Sequence, residues 1–210
     1  MAQDRAIATR GKLMQTATDL IRRHGYGPTS IDQICAQARV TKGAFFHHFK
    51  SKEQLAESCL HQWDRQTALM ERSAPFQQVP DPRVRVLGYM DFFAGMLADP
   101  KMLKSCLAGT TAQEVSSSNE ALREAAHAYF ENARKRFEAL LQDACRGSRA
   151  KVDTAGLAAL WIAAIQGSLI LAKASQDESV IATSLDHAKR YIAAQLPAKA
   201  KGRTRKQTRQ

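Results

Sequence analysis

The chain has 210 residues, 44% of them hydrophobic and 24% charged, which is enough for a substantial core in one domain or in a small one joined to a larger one. Its net charge of +11 sits at the two ends: residues 1–60 carry nine Lys/Arg against five Asp/Glu, residues 198–210 six against none, and residues 61–197 sixteen against fifteen. Four scattered cysteines with no C-x-x-C pair argue against a disulfide framework or a zinc site, and no apolar stretch behind a basic start suggests a secretory leader, so reduced thiols and a cytoplasmic location are expected.

The first helix is expected from about Asp4 to His24. Leu13, Ala17, Leu20, Ile21 and His24 form an apolar stripe at helical spacing, and Gly25 ends it as a left-handed C′ residue. Arg5, Arg10, Lys12, Arg22 and Arg23 fall on the opposite, solvated face, where Arg5 or Arg10 is placed to meet phosphate. A second helix begins near Ile31, because Ser30 with Gln33 forms a capping box, and it buries Ile34 and Ala38. Thr41 caps a third, short helix in which Phe45 and Phe49 lie four apart and can both point into a core. Two short helices broken by a few residues make a helix-turn-helix.

Ser51 caps a fourth helix that runs to about Arg72 through Leu55, Cys59, Trp63 and Leu69. Ala74 to Pro82, with three prolines, reads as a loop, and Arg83 to Ala98 as a helix stopped by Asp99-Pro100. Lys101 to Val115 holds one short helix or two. Asn119 to Cys145 is a long amphipathic helix, Val152 to Ala174 is apolar nearly all round, and Asp177 to Leu196 is a last helix stopped by Pro197. The apolar run Gly156 to Ala172 is interrupted by Gln166 and Ser168 and falls short of the roughly 18 to 20 residues a membrane span needs, so a buried helix and no membrane are expected. The tail, 198–210, is basic and expected to be disordered. The pattern is all-α: an N-terminal three-helix helix-turn-helix domain over 1–50, and a C-terminal helical bundle for ligand sensing and dimerisation over 51–197. The last two helices have more apolar surface than one bundle uses, which points to a homodimer.

DNA binding needs donors for phosphate and small residues that let a helix sink into the major groove. Thr41 offers a hydroxyl and a backbone N–H at a helix N-terminus, and Lys42 adds charge. Gly43 allows close approach, Ala44 and Phe45 offer apolar surface to a thymine methyl, His47 is a donor, and Lys52 can hold the backbone from the next helix. Phe49 belongs to the core, while His47 and His48, being adjacent, point to different faces and make a poor metal pair.

The run from Thr41 to Leu55 resembles the recognition helix and following helix start of the TetR/AcrR family of bacterial transcriptional regulators. The resemblance extends upstream through Gly25 and Thr29-Ser30, covers roughly residues 5 to 60, and implies that Thr29 belongs to the DNA-binding set. It implies a double-stranded DNA operator, a homodimer, no cofactor, and a fourth helix that carries movement to the reading head. Where the family usually has Ala-Gly-Val in the turn, this chain has Ala38-Arg39-Val40. A non-glycine residue in a left-handed turn costs about 1 to 2 kcal/mol, which Arg39 can offset by contacting phosphate. Where the family usually has Thr or Ser, then Leu and Tyr, this chain has Ala44, Phe45 and Phe46, so affinity should lean on Thr41, Lys42 and Lys52.

The segment Cys106 to Glu114, followed by Asn119 to Arg123, resembles the branch related to the N-ethylmaleimide-responsive repressor. That resemblance attaches electrophile or oxidant sensing to Cys106 alone. A reactive thiol needs a lowered pKa from a nearby cation or a helix N-terminus. Lys101 and Lys104 lie off its helical face, which leaves Lys173 as the candidate. Trp63, Phe92, Phe93, Met96 and Phe130 are candidates to line a small apolar pocket for an inducer. The reading from the sequence is thus a TetR-type repressor on a palindromic operator, released by a small-molecule inducer, electrophilic in one version, or by modification of Cys106. Against it stand a thiol-dependent enzyme using Cys106 with His127, for which no motif speaks, and a helical adaptor without specific DNA binding.

Overall fold

The computed structural model describes residues 2–100 and 104–197, and these form nine α-helices and one short 3-10 turn, with no strand among the described residues. The expected basic tail and Lys101 lie outside them. α1 (Ala2–His24) buries Leu13, Met14, Ala17, Leu20 and Ile21, whereas His24, expected in the same stripe, is exposed. Gly25 closes α1 at φ +98°, a conformation that a Cβ would strain.

α2 (Ile31–Ala38) starts with both halves of its capping box made: the Gln33 N–H donates to Ser30 Oγ at 3.2 Å, and the Ser30 N–H donates to Gln33 Oε1 at 2.8 Å. Its end is a Schellman turn. Arg39 takes φ 56°, its N–H reaches Ala36 O at 3.2 Å, and the Val40 N–H reaches Cys35 O at 3.0 Å. α3 (Lys42–His48) is capped by Thr41, whose Oγ1 accepts from the Ala44 N–H at 3.1 Å.

α4 (Lys52–Ser73) belongs to both ends of the molecule. Its first half packs on α1, where the Cys59 thiol donates to Met14 O at 3.4 Å, and its second half ion-pairs with α7 through Asp64 and Glu71. The proline-rich stretch expected as a loop contains a 3-10 turn, Pro75–Gln78, which folds Phe76 inward. α5 (Pro82–Ala98) begins at the Asp81 cap, which accepts from the N–H groups of Arg83 and Val84. Within the 101–115 stretch the described residues 104–106 are not helical and lead into α6 (Leu107–Val115).

α7 (Glu120–Cys145), α8 (Thr154–Ser175) and α9 (Ser179–Gln195) complete the bundle. Its core joins Val86, Met90, Leu122, Leu141, Leu185 and Ile192 to Trp161 and to Tyr89, which stacks on Phe137 with centroids 4.4 Å apart. α8 matches the helix expected over Val152 to Ala174 to within two residues at each end, but at 22 residues it does not fall short of a membrane span: it is the one described helix long and apolar enough to cross a membrane. It packs between α7 and α9, burying Leu157, Ala158, Trp161, Ser168, Leu169 and Ala172. Leu160, Ile170 and Leu171, with Tyr191 of α9, stay exposed on the single chain.

Candidate DNA interface and ligand cavity

The α2–α3 unit divides its residues sharply. Phe45 is fully buried and packs edge-on against Phe46 and at 6.0 Å from Phe49, so of its two readings from the sequence, core residue and apolar DNA contact, the structure favours the core. The aromatic residue that α3 turns outward is Phe46, 53% exposed. Arg39, Thr41, Lys42, Gly43 and His47 are exposed, Ala44 is half-buried, and of the two histidines His48 is the partly packed one. Space around Gly43 is open, since a Cβ there would meet nothing nearer than Thr41 Oγ1 at 3.9 Å; the protein's own packing does not call for glycine. Lys42 pairs with Asp32 at 2.7 Å, both well exposed, and the hydrogen bond to that carboxylate raises the Lys42 pKa.

Two other expected contacts are structural. Thr29 is 2% exposed and its hydroxyl donates to Gly25 O at 2.7 Å, closing the α1–α2 connection. Lys52 turns inward: its ammonium donates to the carbonyls of Tyr26 (3.0 Å), Gly27 (3.3 Å) and Thr29 (2.9 Å) and lies 4.2 Å from the Tyr26 ring centroid. Burial lowers its pKa. An ammonium already committed to three carbonyls is not placed to hold a DNA backbone. Arg10 lies over the Phe49 ring at 5.1 Å, on the flank of the same unit.

The connection that Lys52 grips is held from the other side by the bundle. Glu114, near the end of α6, accepts from the N–H groups of Tyr26 (3.0 Å) and Gly27 (2.7 Å). The fit is tight, because a Cβ on Gly25 would stand 2.3 Å from Glu114 Oε1. At the start of α6, Arg22 of α1 donates to Ser105 O through Nε (3.0 Å) and Nη2 (2.8 Å), and its guanidinium lies 4.7 Å from the Trp63 ring centroid. α6 is therefore fastened to the head at both ends.

Between α4, α5, α7 and α8 lies a cavity of about 270 Å³ walled by Trp63, Met70, Tyr89, Phe93, Met96, Leu97 and Phe130, with Arg22, Glu71, Cys106, Tyr129 and Gln166 among its polar members. Trp63 and Phe93 meet there as the sequence suggested; Phe92 is not among the walls. A second, more open cavity of about 390 Å³ shares Ser105, Cys106 and Gln166 and adds Lys173, whose ammonium is 3.3 Å from Ser105 Oγ. Cys106, the N-cap of α6, thus separates the two.

The lowered thiol pKa that the sequence reading required is not what the site produces. Burial pushes the Cys106 thiol up, although the N–H groups of Gly109 and Ala108 and the side chains of Gln166 and Tyr129 oppose that rise. Gly109 permits this arrangement, since a Cβ there would sit 2.3 Å from Gln166 Oε1. Arg22, which the sequence had placed on a solvated face, lines the same cavity as Cys106 and is electrostatically coupled to it. His127, the base required by a Cys106-dependent enzyme, is exposed on α7 while Cys106 is buried. Arg22, Glu71, Phe46 and Glu114 were not singled out from the sequence. Only Phe46 had a local signal, its offset from Phe45 by one position, which turns it off the core face.

The profile described as bacterial regulatory proteins of the tetR family matches residues 13–59, and that of the C-terminal domain of LmrA/YxaF-like transcriptional regulators matches residues 82–187. An uncharacterised HTH-type transcriptional regulator in the lacX 3′ region of Lactococcus lactis subsp. lactis is 28% identical over 181 residues, covering 85% of this chain and 90% of the relative. The HTH-type transcriptional regulator LmrA of Bacillus subtilis is 27% identical over 173 residues, covering 81% and 89%. Among solved structures, a TetR transcriptional regulator from Chloroflexus aurantiacus is 27% identical with a TM-score of 0.81, over 92% of this chain and 98% of that one. The reduced form of E. coli NemR shares the fold at 21% identity and a TM-score of 0.77, over 92% and 99%.

Proposed function

The chain belongs to the TetR family of bacterial transcriptional regulators, and from that premise we propose that it is a cytoplasmic homodimeric repressor of a palindromic operator, released when a small molecule occupies the cavity behind α4. In this reading residues 1–50 are the head, 51–197 sense and dimerise, and the head reads DNA through Arg39, Thr41, Lys42, Gly43, Phe46 and His47. The observation that carries it is the double fastening of α6: Arg22 on Ser105 and Glu114 on Tyr26 and Gly27 tie the cavity wall to the connection that positions α2 and α3. The exposed Leu160, Ile170, Leu171 and Tyr191 supply apolar surface for a second copy. Two heads one helical turn apart would meet successive major grooves, about 10 bp between half-site centres.

Footprinting on the region upstream of its own coding sequence tests this reading. A protected palindrome at moderate salt is the expected result, and no sequence-specific protection would refute it.

A second release route, modification of Cys106, is favoured by the two α6 N–H groups, Gln166 and Tyr129 directed at the sulfur. In a variant keeping Cys106 as its sole cysteine, N-ethylmaleimide should react slowly at pH 7 and faster as pH rises past the ordinary thiol value, as burial dictates. Operator release by an alkylating quinone that persists in Cys106→Ser would eliminate this route and leave the cavity route standing.

A further inference from the structure

The cavity wall carries a buried carboxylate oxygen that no donor among the described residues meets. On α4, Glu71 is 4% exposed and its Oε2 accepts from Arg136 Nε at 2.7 Å. Arg136 Nη1 in turn donates to Asp64 Oδ1 at 2.9 Å, and Asp64 Oδ2 accepts from Asn132 at 2.6 Å. Two carboxylates therefore share one guanidinium, and Arg22 is a cation of the wall itself. Glu71 Oε1 is buried without a hydrogen-bond partner among the described residues, while Glu71 itself lines the cavity and Arg136 and Asp64 are not among its walls. A buried carboxylate oxygen with no donor carries its desolvation cost uncompensated, so a donor brought by a ligand meets a site already desolvated.

The rest of the cavity sets the ligand's other features. Trp63, Tyr89, Phe93 and Phe130 present rings, and ring faces attract cations as well as apolar bodies. The one other ionic group of the lining with a formal charge at neutral pH is Arg22, which is engaged by the Ser105 carbonyl and the Trp63 ring. An anionic ligand would have to face Glu71 across an apolar space and draw Arg22 from those contacts. A cationic one needs neither.

We propose that the cavity accepts a lipophilic cation, an ammonium or amidinium on an aromatic or aliphatic body, with its positive group on Glu71 and its body against Trp63, Tyr89, Phe93 and Phe130. This rests on the cavity being the effector site, and it adds the chemical class of the effector. If Glu71 instead stands protonated when a ligand arrives, it is a neutral donor and charge on the ligand brings no advantage; the test separates these cases.

Isothermal titration of the full-length protein with 4-phenylbutylamine, 4-phenylbutan-1-ol and 4-phenylbutyrate, which share one apolar body, reads the preference directly. The amine is expected to bind at least about tenfold more tightly than the alcohol, and the acid more weakly than either. In Glu71→Gln, whose amide oxygen still accepts from Arg136, the amine should fall to the level of the alcohol while the alcohol is unchanged. Equal binding of amine and alcohol by the wild type, tightest binding of the acid, or an amine advantage that survives Glu71→Gln would each overturn the proposal. Should Glu71→Gln not fold, the wild-type ranking alone decides. Operator binding is measured separately: an amine that binds as expected yet leaves the operator complex intact would refute the effector reading and keep the cation site.

Discussion

The reading head and the cavity use polar groups in opposite ways. In the head, Thr41 and Ser30 satisfy the backbone of residues three positions on, and what remains outward, Arg39, Lys42 and His47, has no long-range partner among the described residues apart from the exposed Lys42–Asp32 pair. Around the cavity, polar groups meet partners far away in sequence: Arg22 with Ser105, Arg136 with Asp64 and Glu71, Glu114 with Tyr26 and Gly27. A surface that must meet a polyanion keeps its donors in water until binding, whereas a site that must register a small molecule holds its charges dry and paired across helices. The two regimes touch at the α1–α2 connection, which Lys52 at the start of α4 holds from one side and Glu114 of α6 from the other.

Substitutions can break this contrast, the largest effect first. Phe45→Ala should destabilise the protein by about 3 to 5 kcal/mol, since it empties a fully enclosed site, while Phe46→Ala should leave the melting temperature nearly unchanged and weaken operator binding. Equal thermal stability of the two variants would show that the inward and outward rings have been assigned wrongly. Gly25→Ala should cost about 2 kcal/mol or more in urea unfolding, because it combines positive φ with a clash on Glu114. Glu114→Ala in the same background should recover part of that loss by removing the clash.

Lys42→Ala should lower operator affinity about tenfold at moderate salt and reduce the slope of log affinity against log salt by about one, with unfolding unaltered. An unchanged slope would mean that Lys42 stays on Asp32 in the complex. The smallest effect is expected for Arg39→Gly. It should raise stability by about 1 kcal/mol through relief of left-handed strain, and fluorescence anisotropy should show weaker operator binding if the arginine offsets its strain on phosphate.

Much of the head was legible because its determinants are local. Ser30 with Gln33, Thr41, Ser51 and the left-handed Arg39 each act within a few residues, and their helices start and stop where those residues dictate. The assignment of side chains to DNA was less secure. Thr29, Phe45 and Lys52 have the chemistry of DNA contacts, and only their burial or their carbonyl partners take them out of that role. The cavity was partly visible, in Trp63, Phe93 and Cys106, but not its charges. Arg22 has the spacing of a solvated arginine, and Glu71 falls near the end of a helix rich in charged residues.

By itself, then, the sequence determined an all-helical chain with a helix-turn-helix at its front, because capping, apolar periodicity and turn chemistry are written over spans of three to eleven residues. Only the tertiary structure decided which ring faces outward on α3, that Lys52 and Glu114 clamp one connection from two sides, and that Glu71 and Cys106 look into a common cavity. Those outcomes depend on which helices come together. Burial and pairing set the charge state and availability of a side chain, and neither is a property of its neighbours in sequence.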